Sequence, residues 1–137
     1  MRSQKQQIAL FLAGAPHAVV GASSNRQKYG NKVLRCYQQA ERPVYAINPH
    51  GASIEGSPTV ASLRALPESV HGISVITPPH VTESVVAEAL ELGIQNIWLQ
   101  PGAESEAALA MARAGKANLI AQGPCLLIVL GFSDTAS

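Results

Sequence analysis

Aspartate is nearly missing from this chain: among its 137 residues it occurs once, at Asp134. No Ser-His-Asp order, paired carboxylate site or metal-ligand cluster is visible, so the usual equipment for acid–base or metal catalysis is lacking. The two cysteines, Cys36 and Cys125, make no disulfide framework, and there is no C-x-x-C or Cys/His spacing for zinc. No apolar run approaches the roughly 18 residues of a membrane span. The apolar stretch Ile8 to Ala13 is too short and too interrupted for a signal peptide. With a net charge of +1 and its basic residues confined to one segment, the chain favours a small anionic ligand over a nucleic-acid face, which needs a broader basic surface. Length and composition fit one small cytoplasmic domain over 1–137, with a leading helix within 1–16 and a frayed tail at 131–137.

The charge is unevenly placed. Residues 21–50 carry Arg26, Lys28, Lys32, Arg35 and Arg42 against Glu41 alone, while 51–137 carry three basic residues against seven Glu and Asp134. This concentration favours a small anionic ligand at the first loop. Arg35 and Arg42 read instead as a solvated helix face.

The loop itself is the stretch Val19-Val20-Gly21-Ala22-Ser23-Ser24-Asn25-Arg26-Gln27-Lys28-Tyr29-Gly30. A short apolar run stops at glycine, small polar and basic residues follow, and a helical pattern begins at about Gly30. Strand, tight loop and helix start in this order put backbone N–H groups against phosphate. The G-x-G-x-x-G spacing of a dinucleotide fingerprint is absent.

Strands and helices alternate along the chain. Ser3 to Ala13 is a leading helix and His17 to Ala22 the first strand. Gly30 to Glu41 is a helix with Val33, Leu34 and Tyr37 on one face. Pro43 to Asn48 is the second strand, ended by the turn cluster Asn48-Pro49-His50-Gly51. Ser57 to Leu66 reads as a short helix and Gly72 to Thr77 as the third strand. Pro78-Pro79 breaks the chain before the helix His80 to Leu92. There Val81, Val85, Ala89 and Leu92 form the buried stripe and Gly93 the cap. Asn96 to Gln100 is the fourth strand, Glu104 to Ala114 a helix, and Ala117 to Ala121 the fifth strand. Cys125 to Leu130 is apolar and of ambiguous type.

This alternation predicts an α/β fold: a three-layer, Rossmann-like, doubly wound parallel sheet of about five strands. Ligands in such sheets bind at the carboxyl ends of the strands. Four of those ends are rich in special residues: Gly21-Ala22-Ser23, Asn48-Pro49, Thr77-Pro78-Pro79 and Trp98-Leu99-Gln100-Pro101-Gly102. All four should lie along one edge.

The ordered series of motifs resembles the small CoA-binding proteins, whose fold is similar to the N-terminal domain of the succinyl-CoA synthetase alpha subunit. The series is V-G-A-S at 20–23, K-Y-G at 28–30 followed by Lys32-Val33, I-N-P at 47–49 and I-x-G at 54–56. It continues with S-L at 62–63, L-P at 66–67, A-L-E-L-G at 89–93 and W-L-Q at 98–100. It runs from about His17 to Cys125. Two departures stand out: Gly123-Pro124 precedes Cys125 where such proteins often carry an acidic residue, and no aromatic lies near Val60.

The resemblance implies a site for CoA or an acyl-CoA. Its implied contacts are Gly21, Ala22, Ser23, Ser24, Asn25, Arg26, Lys28, Tyr29 and Gly30 from the loop. Asn48, Pro49 and His50 would flank the ribose and its 3′-phosphate. Thr77, Pro78 and Pro79 would wall the adenine or the pantetheine arm, and Gln100 completes the edge. The role expected is a non-catalytic carrier, sensor or partner of an acyl-CoA enzyme, with no nucleic acid or membrane and with a homo-oligomer left open. Two alternatives stand beside it: an NAD(P)-binding Rossmann oxidoreductase or redox sensor, and a protein-interaction module with a vestigial pocket. NAD is disfavoured because Asn48 occupies the place where an acidic residue would hold the ribose diol.

Other residues carry plainer readings. His17 is structural, His71 a surface turn residue, and His50 and His80 are secondary candidates for ligand contact. Cys36 reads as a core residue and Trp98 as packing. Cys125 follows a turn near the edge, where its thiol could exchange with that of CoA.

Overall fold

In the computed structural model, which describes residues 2–50 and 53–134, a six-stranded all-parallel sheet has the order β3-β2-β1-β4-β5-β6. The strands are β1 (His17–Val20), β2 (Val44–Ile47), β3 (Thr59–Val60), β4 (Gly72–Val75), β5 (Asn96–Leu99) and β6 (Asn118–Ile120). The helices are α1 (Gln4–Leu12), α2 (Tyr29–Gln39), α3 (Pro79–Glu91), α4 (Glu106–Ala114) and α5 (Leu126–Val129). Strand order reverses between β1 and β4, which makes their carboxyl ends the switch point of a doubly wound sheet.

Alternation along the strands divides the core into two layers. Ala18 and Val20 of β1, with Ile73, Val75, Ile97 and Leu99, pack against Val85, Val86 and Ala89 of α3 and Ala108 and Ala112 of α4. On the opposite face Val19, Ala46, Trp98 and Ile120 meet Phe11 of α1, Val33, Leu34 and Tyr37 of α2, and Leu126 of α5. Trp98 is fully buried, edge-on to Phe11, and its indole N–H donates to the Pro124 carbonyl at 3.0 Å. It is packing. Cys36 is also core, its thiol pushed up to about 11 mainly by burial.

The segment 57–66 is not the expected short helix. Thr59–Val60 adds a sixth strand at the sheet edge, and only Leu63–Ala65 turns, as a 3-10 helix. The Ala46 N–H donates to the Pro58 carbonyl and the Asn48 N–H to the Val60 carbonyl, both at 2.9 Å. Pro58 thus stands at an edge, where its missing N–H costs nothing. The run 125–130 resolves as α5, a single helical turn, with Cys125 as N-cap and Ile128 82% exposed.

Three other expectations change. Arg35 is not solvated: it is 2% exposed, its guanidinium pairs with Asp134 at 2.8 Å, and it lies over the Phe132 ring. Arg42 donates to the Leu12 carbonyl and so holds the end of α1. The tail does not fray at Gly131, because the Ser133 N–H donates to Gln39 Oε1 and Asp134 reaches Arg35. The last part of the expected tail, 135–137, lies outside the described residues, as does Gly51 of the turn cluster. His71 is no free surface residue either: it is half-buried, bonded through Nε2 to the Leu10 carbonyl, and edge-on to His17.

Candidate functional site

A cleft of about 750 Å³ opens at the carboxyl edge over the switch point. Its walls are Gly21, Ala22, Ser23, Ser24, Lys28, Tyr29 and Gly30 from the first loop, Asn48, Pro49 and His50 after β2, and Ile76, Thr77 and Pro78 after β4. Beside it lies an apolar slot of about 170 Å³ bounded by Val20, Ile47, Leu63, Val81 and Val85. The two share Gly21, Pro49 and Thr77 as a common wall.

The floor depends on two glycines. Gly21 has φ +98°, and a Cβ there would stand 2.2 Å from the Ile76 carbonyl oxygen. A Cβ on Gly30 would stand 2.0 Å from the Gly21 oxygen. Only a backbone without side chains lets β1, the loop and α2 converge this closely.

The loop is pinned by its own polar groups. The Asn25 N–H donates to Ser23 Oγ at 3.1 Å, the Gln27 N–H to Asn25 Oδ1 at 2.9 Å, and the Lys28 N–H to the Asn25 carbonyl at 3.0 Å. Asn48 clamps it from the β2 side: Nδ2 donates to the Ala22 carbonyl at 2.8 Å, while Oδ1 accepts from the His50 N–H at 2.7 Å. Its side chain therefore shapes the cleft rather than standing free in it.

The two helices whose starts border the cleft, α2 and α3, begin without a side-chain cap. Lys28 is the N-cap of α2 and Pro78 that of α3, and neither side chain bonds a first-turn N–H. Uncapped first-turn amides and the positive ends of two helix dipoles suit an anion. Lys28 adds a full charge at the wall.

Some expected members lie elsewhere. Arg26 does not line the cleft and pairs with Glu55 at 3.3 Å. Asn25 serves the loop's own turns, and Pro79 begins α3 behind Pro78. His80 is exposed and does not line the cleft. Lys32, though near in sequence, leans toward Asp134 at 3.7 Å. Gln100 is fully buried behind Tyr29: its Oε1 accepts from the Tyr29 hydroxyl at 3.2 Å and from the Leu126 N–H at 3.0 Å.

Two supporting residues were missed in the sequence. Buried Asn31 donates from Nδ2 to the Ser23 carbonyl at 2.8 Å and to Glu55 at 3.0 Å, and accepts from Arg35 Nε at 2.6 Å. Arg35 also donates to the Arg26 carbonyl at 3.2 Å. The underside of the loop is thus tied through Asn31 and Arg35 to Glu55 and Asp134. An Asn and an Arg four apart on a helix gave no sign of this, since their remaining partners are distant in sequence.

Among the described residues no three His, Cys, Asp or Glu side chains gather as a metal site, and no helix is long and apolar enough to cross a membrane. A second depression of about 340 Å³ lies between residues 63–70 and 92–94. Its cation, Arg64, is held by Glu88 at 3.3 Å and by Glu91. It lacks the uncapped helix starts, so the carboxyl-edge cleft is the better anion site.

A doubly wound, Rossmann-like parallel sheet with a cleft at the carboxyl edge over its switch point defines the class of fold. Residues 16–131 match the CoA binding domain family, and the chain belongs to that family. A conserved hypothetical protein from Pyrococcus furiosus is 35% identical, with a TM-score of 0.79 over 85% of this chain and 99% of that one. The ADP-forming acetate–CoA ligase I of Archaeoglobus fulgidus is 32% identical over 71 residues, which are 52% of this chain and 10% of the ligase. The chain therefore spans about a tenth of that relative's length. The dinucleotide-forming acetyl-coenzyme A synthetase 1 of Ca. Korarchaeum cryptofilum shares the fold, with a TM-score of 0.66 and 22% identity over 75% of this chain and 25% of that one.

Proposed function

We propose that this chain binds CoA or an acyl-CoA in the carboxyl-edge cleft without turning it over, as a non-catalytic carrier, sensor or partner of an acyl-CoA enzyme. The observation that carries the reading is the uncapped start of α2 directly after the Gly21 loop, with Lys28 on the cleft wall. These groups would hold the phosphates through backbone amides and one ammonium. The adjoining apolar slot suits the adenine or part of the pantetheine arm. Ser23, Ser24, Asn48 and His50 would border the ribose end.

Membership of the CoA binding domain family and the likeness to acyl-CoA ligases support the ligand class. They also support a partnership with an acyl-CoA enzyme, since the matching ligase carries this region as a small part of a longer chain. Two unpaired cysteines fit a reducing cytoplasm. The test is titration calorimetry with CoA, acetyl-CoA, NAD and NADP in parallel. CoA is expected to bind more tightly than NAD, because the end of β2 offers Asn48 and no carboxylate to a ribose diol. NAD binding equal to or tighter than CoA overturns the reading, as does sustained hydrolysis or ligation of acyl-CoA by the purified chain.

A further inference from the structure

Behind the cleft wall sits a small polar cluster that the binding of phosphates does not use. The Tyr29 hydroxyl lies 2.6 Å from Cys125 Sγ and 3.2 Å from Gln100 Oε1. Cys125 is half-buried, next to the exposed turn Gln122-Gly123. Gln100 is fully buried and belongs to the cluster through its Oε1, which also accepts from the N–H of Leu126, the residue after Cys125. The Leu126 N–H can only donate, which fixes the amide orientation and leaves Nε2 as the other half of the group. That Nε2 has no hydrogen-bond partner among the described residues. An orphaned donor at a buried site costs about 1–3 kcal/mol and calls for an acceptor.

The juxtaposition of a thiol, a hydroxyl that can donate or accept, and an unsatisfied amide donor points to a ligand with a sulfur and a nearby carbonyl. A cysteamine amide has both, its carbonyl oxygen a few bonds from its sulfur. We propose that Cys125 is a site of covalent modification, forming a mixed disulfide with the thiol of CoA by exchange with CoA disulfide. This rests on the CoA reading above. Tyr29 is a cleft residue whose hydroxyl lies beside Cys125, so it joins the two sites.

The step balances as a thiol–disulfide exchange. Cys125 Sγ attacks one sulfur of CoA disulfide, the old S–S bond breaks as the new one forms, and one CoA leaves as thiolate. The proton released from Cys125 passes to that thiolate directly or through water, so one CoA thiol is produced per modified protein. Tyr29 is a positioning residue. With the thiol protonated, the S–H donates to the Tyr29 oxygen and Tyr29 donates to Gln100. With the thiolate, the Tyr29 O–H turns to the sulfur. Cys36 has no such role, being buried in the core with its thiol 3.7 Å from the Leu126 carbonyl.

The experiment incubates the reduced full chain with CoA disulfide, weighs it intact and maps the modified peptide. Calorimetry with CoA is run beside it. The expected result is a gain of one CoA less two hydrogens, mapped to Cys125, reversed by dithiothreitol and slowed by desulfo-CoA. Cys125→Ser should lose the adduct yet still bind CoA. Tyr29→Phe should slow adduct formation roughly tenfold and shift its pH profile, as loss of one hydrogen bond to a charged sulfur implies. CoA binding without an adduct, an adduct on Cys36, or labelling by oxidised glutathione as fast as by CoA disulfide overturns the inference and leaves the CoA reading standing. Absence of CoA binding in the calorimetry overturns both.

Discussion

The Cα of Gly30 is pressed against the carbonyl of Gly21, so that a Cβ on Gly30 would lie 2.0 Å from that oxygen. The first turn of α2 thereby rests on the end of β1, and the cleft floor is backbone on backbone. Gly30→Ala must push the two apart, and the neighbouring atoms are main chain with little freedom to yield. Overpacking of this kind costs about 1–3 kcal/mol. The expected outcome is a lower thermal midpoint and CoA affinity weakened about tenfold or more, read by scanning calorimetry and titration. Gly21→Val should be worse, since φ +98° adds strain to its clash with the Ile76 carbonyl. Parent-like affinity in a folded Gly30→Ala protein would place the ligand elsewhere.

The loop cations should separate in function. Lys28 lines the cleft, whereas Arg26 is paired with Glu55. Lys28→Ala should weaken CoA binding about fivefold, in keeping with ~1 kcal/mol for an exposed charge–phosphate contact. The deficit should shrink as salt rises, because both partners are solvated. Arg26→Ala should change affinity less. Equal losses for the two variants at low salt would show that the Arg26–Glu55 pair opens when ligand arrives.

Much of this was legible in the sequence, and for physical reasons. Apolar runs closed by Gly or Pro marked β1, β2, β4 and β5, and the pile-up of special residues at their ends located the cleft. The first loop showed because glycine is needed where backbone approaches backbone. Thr59–Val60 stayed hidden because a two-residue edge strand has no period, while Pro58 and Pro67 bracket the stretch as they would a short helix. Arg35 reads as solvated because a helix position facing a tail cannot be told from one facing water: its partner Asp134 is far along the chain. The same distance hid the Tyr29–Gln100–Cys125 cluster, whose members come from three separate elements. Periodicity reports which face is buried and is silent on which polar groups meet.

The C-terminal strap should matter to stability. Arg35 is buried, and its charge is met by Asp134, by Asn31 and by the Phe132 ring. Its guanidinium in turn holds the Asp134 carboxyl below the usual carboxylate range. Removing residues 131–137 would strip Arg35 of Asp134 and Phe132 while leaving its buried charge in place without that counter-ion, which is costly. The truncated chain should unfold at distinctly lower denaturant than the parent. Arg35→Met, which removes the charge but keeps bulk, should rescue part of the loss in the truncated background. An unchanged midpoint on truncation would show the strap to be decorative.

Stability should also fall in mild acid, and His17 is the cause. It is fully buried at the start of β1, its Nε2 bonded to the Phe11 carbonyl at 2.8 Å and its Nδ1 without a partner among the described residues. Burial, helped by nearby His71 and Arg42, lowers its pKa from 6.5 to about 4. The folded state thus keeps the ring neutral while the unfolded chain takes up a proton near pH 6.5, so acid favours unfolding. The contribution is fully present above pH 6.5, is lost progressively between there and about 4, and levels off below, where both states are protonated. The shift corresponds to about 3 kcal/mol across that window. Urea unfolding at pH 7.5 and pH 5 should show the decline, and His17→Phe should flatten it whatever its own stability. A parent whose midpoint is the same at both pH values would mean that the ring is protonated without strain in the fold.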